Sequence, residues 1–237
     1  MRTTLHTITV DDAIARCTTA GPYQWTLPRE VQPPPIHRQQ ILDTLDAVWR
    51  GIPIGAITLA AAPRSQPYAP AAHPVDGVPA EPFAIIDGIP MLTALCLLTG
   101  LQPTWHSPHQ QQRYDTRLVL DVRRQRIYTA DPDCPTAFIH AWDCVDLLTV
   151  LHPDGIPTLD QAIAEDPHGP LARISRARAA RLLERAQDVL ETRIPVLVAV
   201  GNPDDTEELT RLYNDHSTDD DAQISRHIAT PQNRWRP

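Results

Sequence analysis

An α+β fold with a helical portion towards its C-terminal end is what this 237-residue sequence predicts. Three observations carry that reading. Short apolar runs of strand type recur at residues 52–61, 83–86 and 194–200. Helical spacing appears at Ile41, Leu42, Leu45, Val48 and Trp49, and again over residues 170–192. Between them, the strand-like run Phe83-Ala84-Ile85-Ile86 meets the turn pair Asp87-Gly88 and then a helix that opens with Pro90 and stops at Gly100.

Composition sets the outer bounds. The length suffices for one sizeable core, or one core with a helical appendage, and a hydrophobic content of 42% is ordinary for a soluble chain. Twenty-five prolines against nine glycines place the excess in extended loops, at Pro33-Pro34-Pro35 and over residues 63–82. All 21 basic residues are arginine and the formal net charge is −8, which argues against autonomous, non-specific nucleic-acid binding. Cys17, Cys96, Cys134 and Cys144 show no metal-type spacing and read as reduced, structural thiols. The amino terminus is polar and no apolar run approaches the ~20 residues of a membrane span, so a cytoplasmic protein is expected.

In chain order, residues 7–15 suggest a short strand and a helical turn from Asp11-Asp12, and residues 23–32 an extended stretch. The helix over 41–49 ends at Gly51, and the run 52–61 reads as one buried strand weakened by Gly55. Residues 64–82 form a long connection, either lid or spacer. His106 and His109 lack a third ligand of matching spacing, so no metal site is expected. Residues 116–122 and 126–130 read as a hairpin with Arg123-Arg124-Gln125 at its tip. Residues 138–143 suggest a strand, and 144–151 a helix. Residues 170–192 read as the longest helix, with Arg173, Arg176, Arg178, Arg181 and Arg185 around its apolar face. A helix from Asp204 or Asp205 to about Tyr213, and a last one from Ser217 or Thr218, complete the chain.

A strand that turns sharply into a helix aims free backbone N–H groups at one point, a place suited to an anion such as phosphate. It is equally a common packing unit, and Asp87 equally a helix cap. Both readings stand on the residues alone.

Four stretches, in this order, resemble the GmrSD-type restriction endonuclease N-terminal domain family. They are LPREVQ (residues 27–32), ILDTLDAVWRGIPIGAITL (41–59), AIIDGIPMLTAL (84–95) and IPVLVAVGNPDDTEELTRLYND (194–215). The third is similar to the family signature Ile-Asp-Gly-Gln-Gln-Arg-Leu-Thr-Thr-Leu, and the second to its helix, glycine-rich turn and following strand. The resemblance implies one ParB/sulfiredoxin-like domain, a mixed sheet flanked by helices, with residues 1–135 as the α/β core and 136–237 mostly helical around one strand at 194–200. It also implies a nucleoside triphosphate with Mg²⁺, anti-phage defence, and a separate HNH-type nuclease as partner chain.

On that basis Gln32, Asp87 and Gly88 are the nucleotide-site candidates, and Asn214 matches a family asparagine. The signature is degenerate: Ile89, Pro90 and Met91 stand where Gln-Gln-Arg is expected, and Pro33 replaces another arginine. Arg29 and Arg38 are the candidate compensating phosphate ligands. The expectation is therefore a non-catalytic or weakly catalytic regulatory or assembly subunit. An active nucleoside triphosphatase is the alternative. The second is a DNA-sensing module built on Arg113, Arg117, Arg123, Arg124, Arg126 and the arginine-rich helix.

Overall fold

The computed structural model describes residues 2–19, 24–27, 38–61, 83–106, 118–129, 144–151 and 156–200. Their elements are β1 (Arg2–Thr9), α1 (Val10–Thr18), β2 (Trp25–Thr26), α2 (Arg38–Trp49), β3 (Ile57–Ala61), β4 (Phe83–Asp87), α3 (Ile89–Leu98), β5 (Leu118–Asp121), β6 (Arg126–Thr129), β7 (Cys144–Asp146), α4 (Leu147–Val150), α5 (Leu159–Glu165), α6 (Pro170–Arg173), α7 (Arg176–Glu191) and β8 (Arg193–Val200).

The main sheet is mixed and runs β1-β8-β3-β4-β2; a second, antiparallel sheet runs β6-β5-β7. β8, from the latter part of the chain, lies between β1 and β3 and is parallel to β3. Alternation decides which side chains go inward. Ile57, Leu59, Ile85, Val196 and Val198 join the large core with α1, α2, α3 and α7, while Ala60, Ile86 and Ala199 form a small buried cluster of their own. The outcome is the expected α+β class, a mixed sheet flanked by helices.

Helix ends follow local chemistry. Thr9 caps α1, its Oγ1 accepting the Asp12 N–H at 3.1 Å. α2 and α3 stop in the same way. Gly51 (φ +71°) and Gly100 (φ +66°) take the left-handed conformation, while Ile52 N–H reaches Ala47 O at 2.8 Å and Leu101 N–H reaches Cys96 O at 3.1 Å. α2 carries no basic residue in its own last turn; Arg185 of α7 supplies the charge, Nε donating to Trp49 O at 2.6 Å. Arg185→Met should therefore cost about 1–2 kcal/mol, since a charge-assisted bond to a helix C-terminus is lost while the stem is kept. Urea denaturation checks it: the midpoint falls while the m-value stays constant.

Several boundaries differ from the sequence reading. β1 starts at Arg2, well before residue 7. The apolar run 52–61 is strand only from Ile57. Ile52 has spent its N–H on α2, Pro53 has none, and Gly55 at φ +102° leaves the β region. Residues 144–146 form β7 against β5, so the expected helix shrinks to α4. The long helix over 170–192 breaks at Ile174 and Ser175, both extended, into α6 and α7. α5 was not foreseen, although its capping box, Thr158 with Gln161, is written in the sequence. The connection 64–82, the strand at 138–143 and the helices after residue 200 lie outside the described residues.

The β5–β6 turn is organised by Asp121. This carboxylate is 1% exposed, and its Oδ1 accepts the N–H groups of both Arg123 and Arg124 at 2.8 Å. Asp121 O accepts the Gln125 N–H, also at 2.8 Å, and Gln125 sits at φ +55° before β6 begins. The hairpin expected around these arginines is present, with Val122 in the turn and residues 116, 117 and 130 outside the described residues.

Candidate functional site

β4 reads FAIID with every residue buried up to Asp87, which is half-buried. Its pairing with β3 shifts between Thr58 and Leu59, so that Asp87 stands opposite Thr58 and the strand ends in a bulge. Gly88 follows at φ +95° and forms the N-cap of α3. Asp87 does not cap the helix. Its Oδ1 accepts the Gly88 N–H at 2.6 Å and so fixes the turn itself. Within the helix, Leu92 N–H reaches Gly88 O at 2.9 Å, Pro90 brings no N–H, and no side chain caps the remaining first-turn donors.

The left-handed backbone at position 88 favours glycine. A Cβ there would lie 3.4 Å from Ile57 Cα and 3.5 Å from both Ile57 Cγ1 and Met91 Cε. The start of β3 thus lies directly against the turn. Just before it, residues 52–56 run without regular structure, and Gly55 is exposed with open space around its Cα. β2 is parallel to β4, with Thr26 beside Ala84, so the chain leaves β2 towards the same end of the sheet as Asp87. The described parts of stretches 27–32, 41–59, 84–95 and 194–215 are accordingly neighbours in space, residues 28–32 and 201–215 lying outside the described residues. Leu27 directly follows β2, and β3, β4 and β8 belong to the other three.

The turn offers main-chain donors to an anion and one carboxylate to a cation. The side chains at positions 89 and 91 offer the anion nothing polar: Ile89 is 2% exposed and Met91 7% exposed, both within the core. A magnesium–phosphate group would have the second Asp87 oxygen and the first-turn N–H groups to bind; Met91 packs a thioether near Gly88 and brings no charge there. Among the other candidates, Arg38 opens α2, while Arg29, Gln32 and Asn214 lie outside the described residues.

The remaining chemical groups behave structurally. Burial pushes the His106 imidazole below its usual range, His109 lies outside the described residues, and no metal-type cluster occurs among those described. Cys17 and Cys96 are fully buried with their thiols in contact, and burial pushes the Cys17 thiol well up, as for an inert core cysteine. Among the described residues no helix is long and apolar enough to cross a membrane.

What sequence reasoning missed is a tertiary contact. Arg178 of α7 donates from Nη2 to Arg123 O at 2.6 Å, so the two arginine groups share one surface. Arg113 and Arg117 lie outside the described residues. No protein-family model matches the chain, and no curated protein matches it either.

Proposed function

We propose that the chain is a non-catalytic or weakly catalytic nucleotide-binding-type domain of ParB/sulfiredoxin-like design. It serves as a regulatory or assembly subunit of a prokaryotic, restriction-like defence system. One observation carries the reading: α3 begins behind Asp87 and Gly88 with no side-chain cap, while Ile89 and Met91 are buried where the similar signature has polar, phosphate-gripping groups. An uncapped helix N-terminus favours a phosphate through its backbone. Hydrolysis asks for more. Each charge-assisted bond from a missing guanidinium is worth about 1.5–3 kcal/mol, and removing such electrostatics from a transition state typically costs ~10²–10³ in rate. Binding without useful turnover suits a subunit that reports a nucleotide to a separate nuclease chain, which would supply any DNA cutting.

The test pairs binding with turnover. Thermal unfolding is followed with each of the four ribonucleoside triphosphates and Mg²⁺, and phosphate release is measured in the same mixtures. At least one nucleotide should raise the melting temperature, Asp87→Ala should remove that rise, and phosphate release should stay at background. Turnover abolished by Asp87→Ala would overturn the non-catalytic reading. Melting curves indifferent to all four nucleotides would overturn the nucleotide site.

A further inference from the structure

We infer that the corner where the β5–β6 turn meets the first half of α7 is a contact face for the phosphate backbone of nucleic acid. Different residues carry this from those at the Asp87 turn, and it stands or falls independently of that site.

Arg123, Arg124 and Arg126 are exposed on the turn, which Asp121 holds rigid from below and Arg178 ties to α7 through Arg123 O. Arg181 lies one helical turn beyond Arg178 on the same stripe, its Nε donating to Ala177 O. The helix divides its arginines by role. Arg176 pairs with Asp160, and Arg185 is occupied by Trp49 O and Asp188. Arg124 pairs with Asp121 at 4.0 Å, and Arg123 and Arg124 both have partners of their own, so the charge on offer is that of Arg126, Arg178 and Arg181. Among the described residues no carboxylate pairs with Arg126, Arg178 or Arg181; Glu184, one turn past Arg181, makes no ion pair with it. The first turn of α7 has no acidic residue and no side-chain cap at Ser175, so its dipole adds positive potential to the same corner.

Nucleic acid fits this better than an acidic peptide. A duplex presents a charge per ~1.7 Å of axis on a pre-ordered scaffold, so rigidly placed guanidinium forks meet phosphates without ordering their partner. An acidic segment must lose chain entropy to match them. The overall charge of −8 opposes association at a distance, but screening over about 8 Å at physiological salt leaves the local field in control. The contact is therefore weak and steeply salt-dependent.

Fluorescence anisotropy with the full chain and a short labelled duplex DNA tests this, with single-stranded RNA as a second arm for the same chemistry. Three neutralised phosphates give a log–log salt slope of about −2.7, a loss of roughly forty-fold in affinity between 50 and 200 mM salt. The double variant Arg126→Gln/Arg181→Gln, at exposed positions that leave the Arg178 tie intact, should bring the slope to about −0.9. Arg193→Gln, on β8, should leave both slope and affinity unchanged. Absence of binding at the lower salt would overturn the inference, as would a double variant that binds like wild type. Binding of polyglutamate but not of DNA or RNA would also overturn it and assign the corner to an acidic protein partner.

Discussion

Replacing Asp121 with alanine should cost the fold about 3 kcal/mol, whereas asparagine should cost about 1 kcal/mol or less. Both N–H bonds of the turn end on the same oxygen, Oδ1. Asparagine keeps a carbonyl there, and gives up only the charge and the long approach of Arg124 at 4.0 Å. Alanine removes the acceptor altogether. Bonds to a carboxylate are worth about 1.5–3 kcal/mol each. Water recovers part of that because the Arg123 and Arg124 backbones belong to exposed residues, which sets the value below the sum of two. Urea denaturation of the pair measures it. Equal losses for alanine and asparagine would mean that charge, and not the two hydrogen bonds, is what Asp121 contributes. The substitution also reports on the arginine corner, since a loosened turn releases the carbonyl that Arg178 holds.

How much of this was legible depends on the range of each interaction. The path from β4 into α3 was readable because every determinant is local: an apolar run, an Asp-Gly pair, Pro90 in the first turn, Gly100 past the last. The start of β3 was not. Ile52, Pro53 and Ile54 are as apolar as a strand, yet Ile52 is 46% exposed and Ile54 only packs against the core edge. What excludes them from the sheet is hydrogen-bond bookkeeping with α2, which no hydropathy pattern records. The break before α7 escaped notice for a related reason. Leu171, Ile174 and Leu182 all face the core, so the apolar period runs on through a backbone that is extended at Ile174 and Ser175. The candidate site divides along the same line. The turn at Asp87 and Gly88 is legible in the sequence, but the approach of Ile57 to Gly88 and of Arg178 to the Arg123 carbonyl joins segments far apart in the chain.

Gly88→Val should destabilise the protein by about 2–4 kcal/mol, from two sources that a glycine comparison separates. The left-handed backbone at φ +95° penalises any side chain, by about 1–2 kcal/mol for an ordinary residue and more for a β-branched one. Crowding adds to this for valine: its Cβ would make an ordinary contact with Ile57 Cα at 3.4 Å, and its two methyl groups must find room beyond that backbone. Gly55, at φ +102° with nothing within 4 Å of its hypothetical Cβ, isolates the first source. Gly55→Ala and Gly88→Ala should then each cost about 1–2 kcal/mol, while Gly88→Val should cost clearly more than Gly55→Val, a ranking read from denaturation midpoints. Similar losses for valine at the two sites would show that the turn yields around the new methyl groups and that the contact between β3 and the α3 N-terminus is loose. The same contact governs the proposed nucleotide site, because the first-turn N–H groups of α3 point to one place only while Gly88 holds the helix against Ile57. Gly88→Val should for this reason abolish the nucleotide-dependent rise in melting temperature at a temperature where the variant is still folded, whereas Gly55→Val should leave it in place.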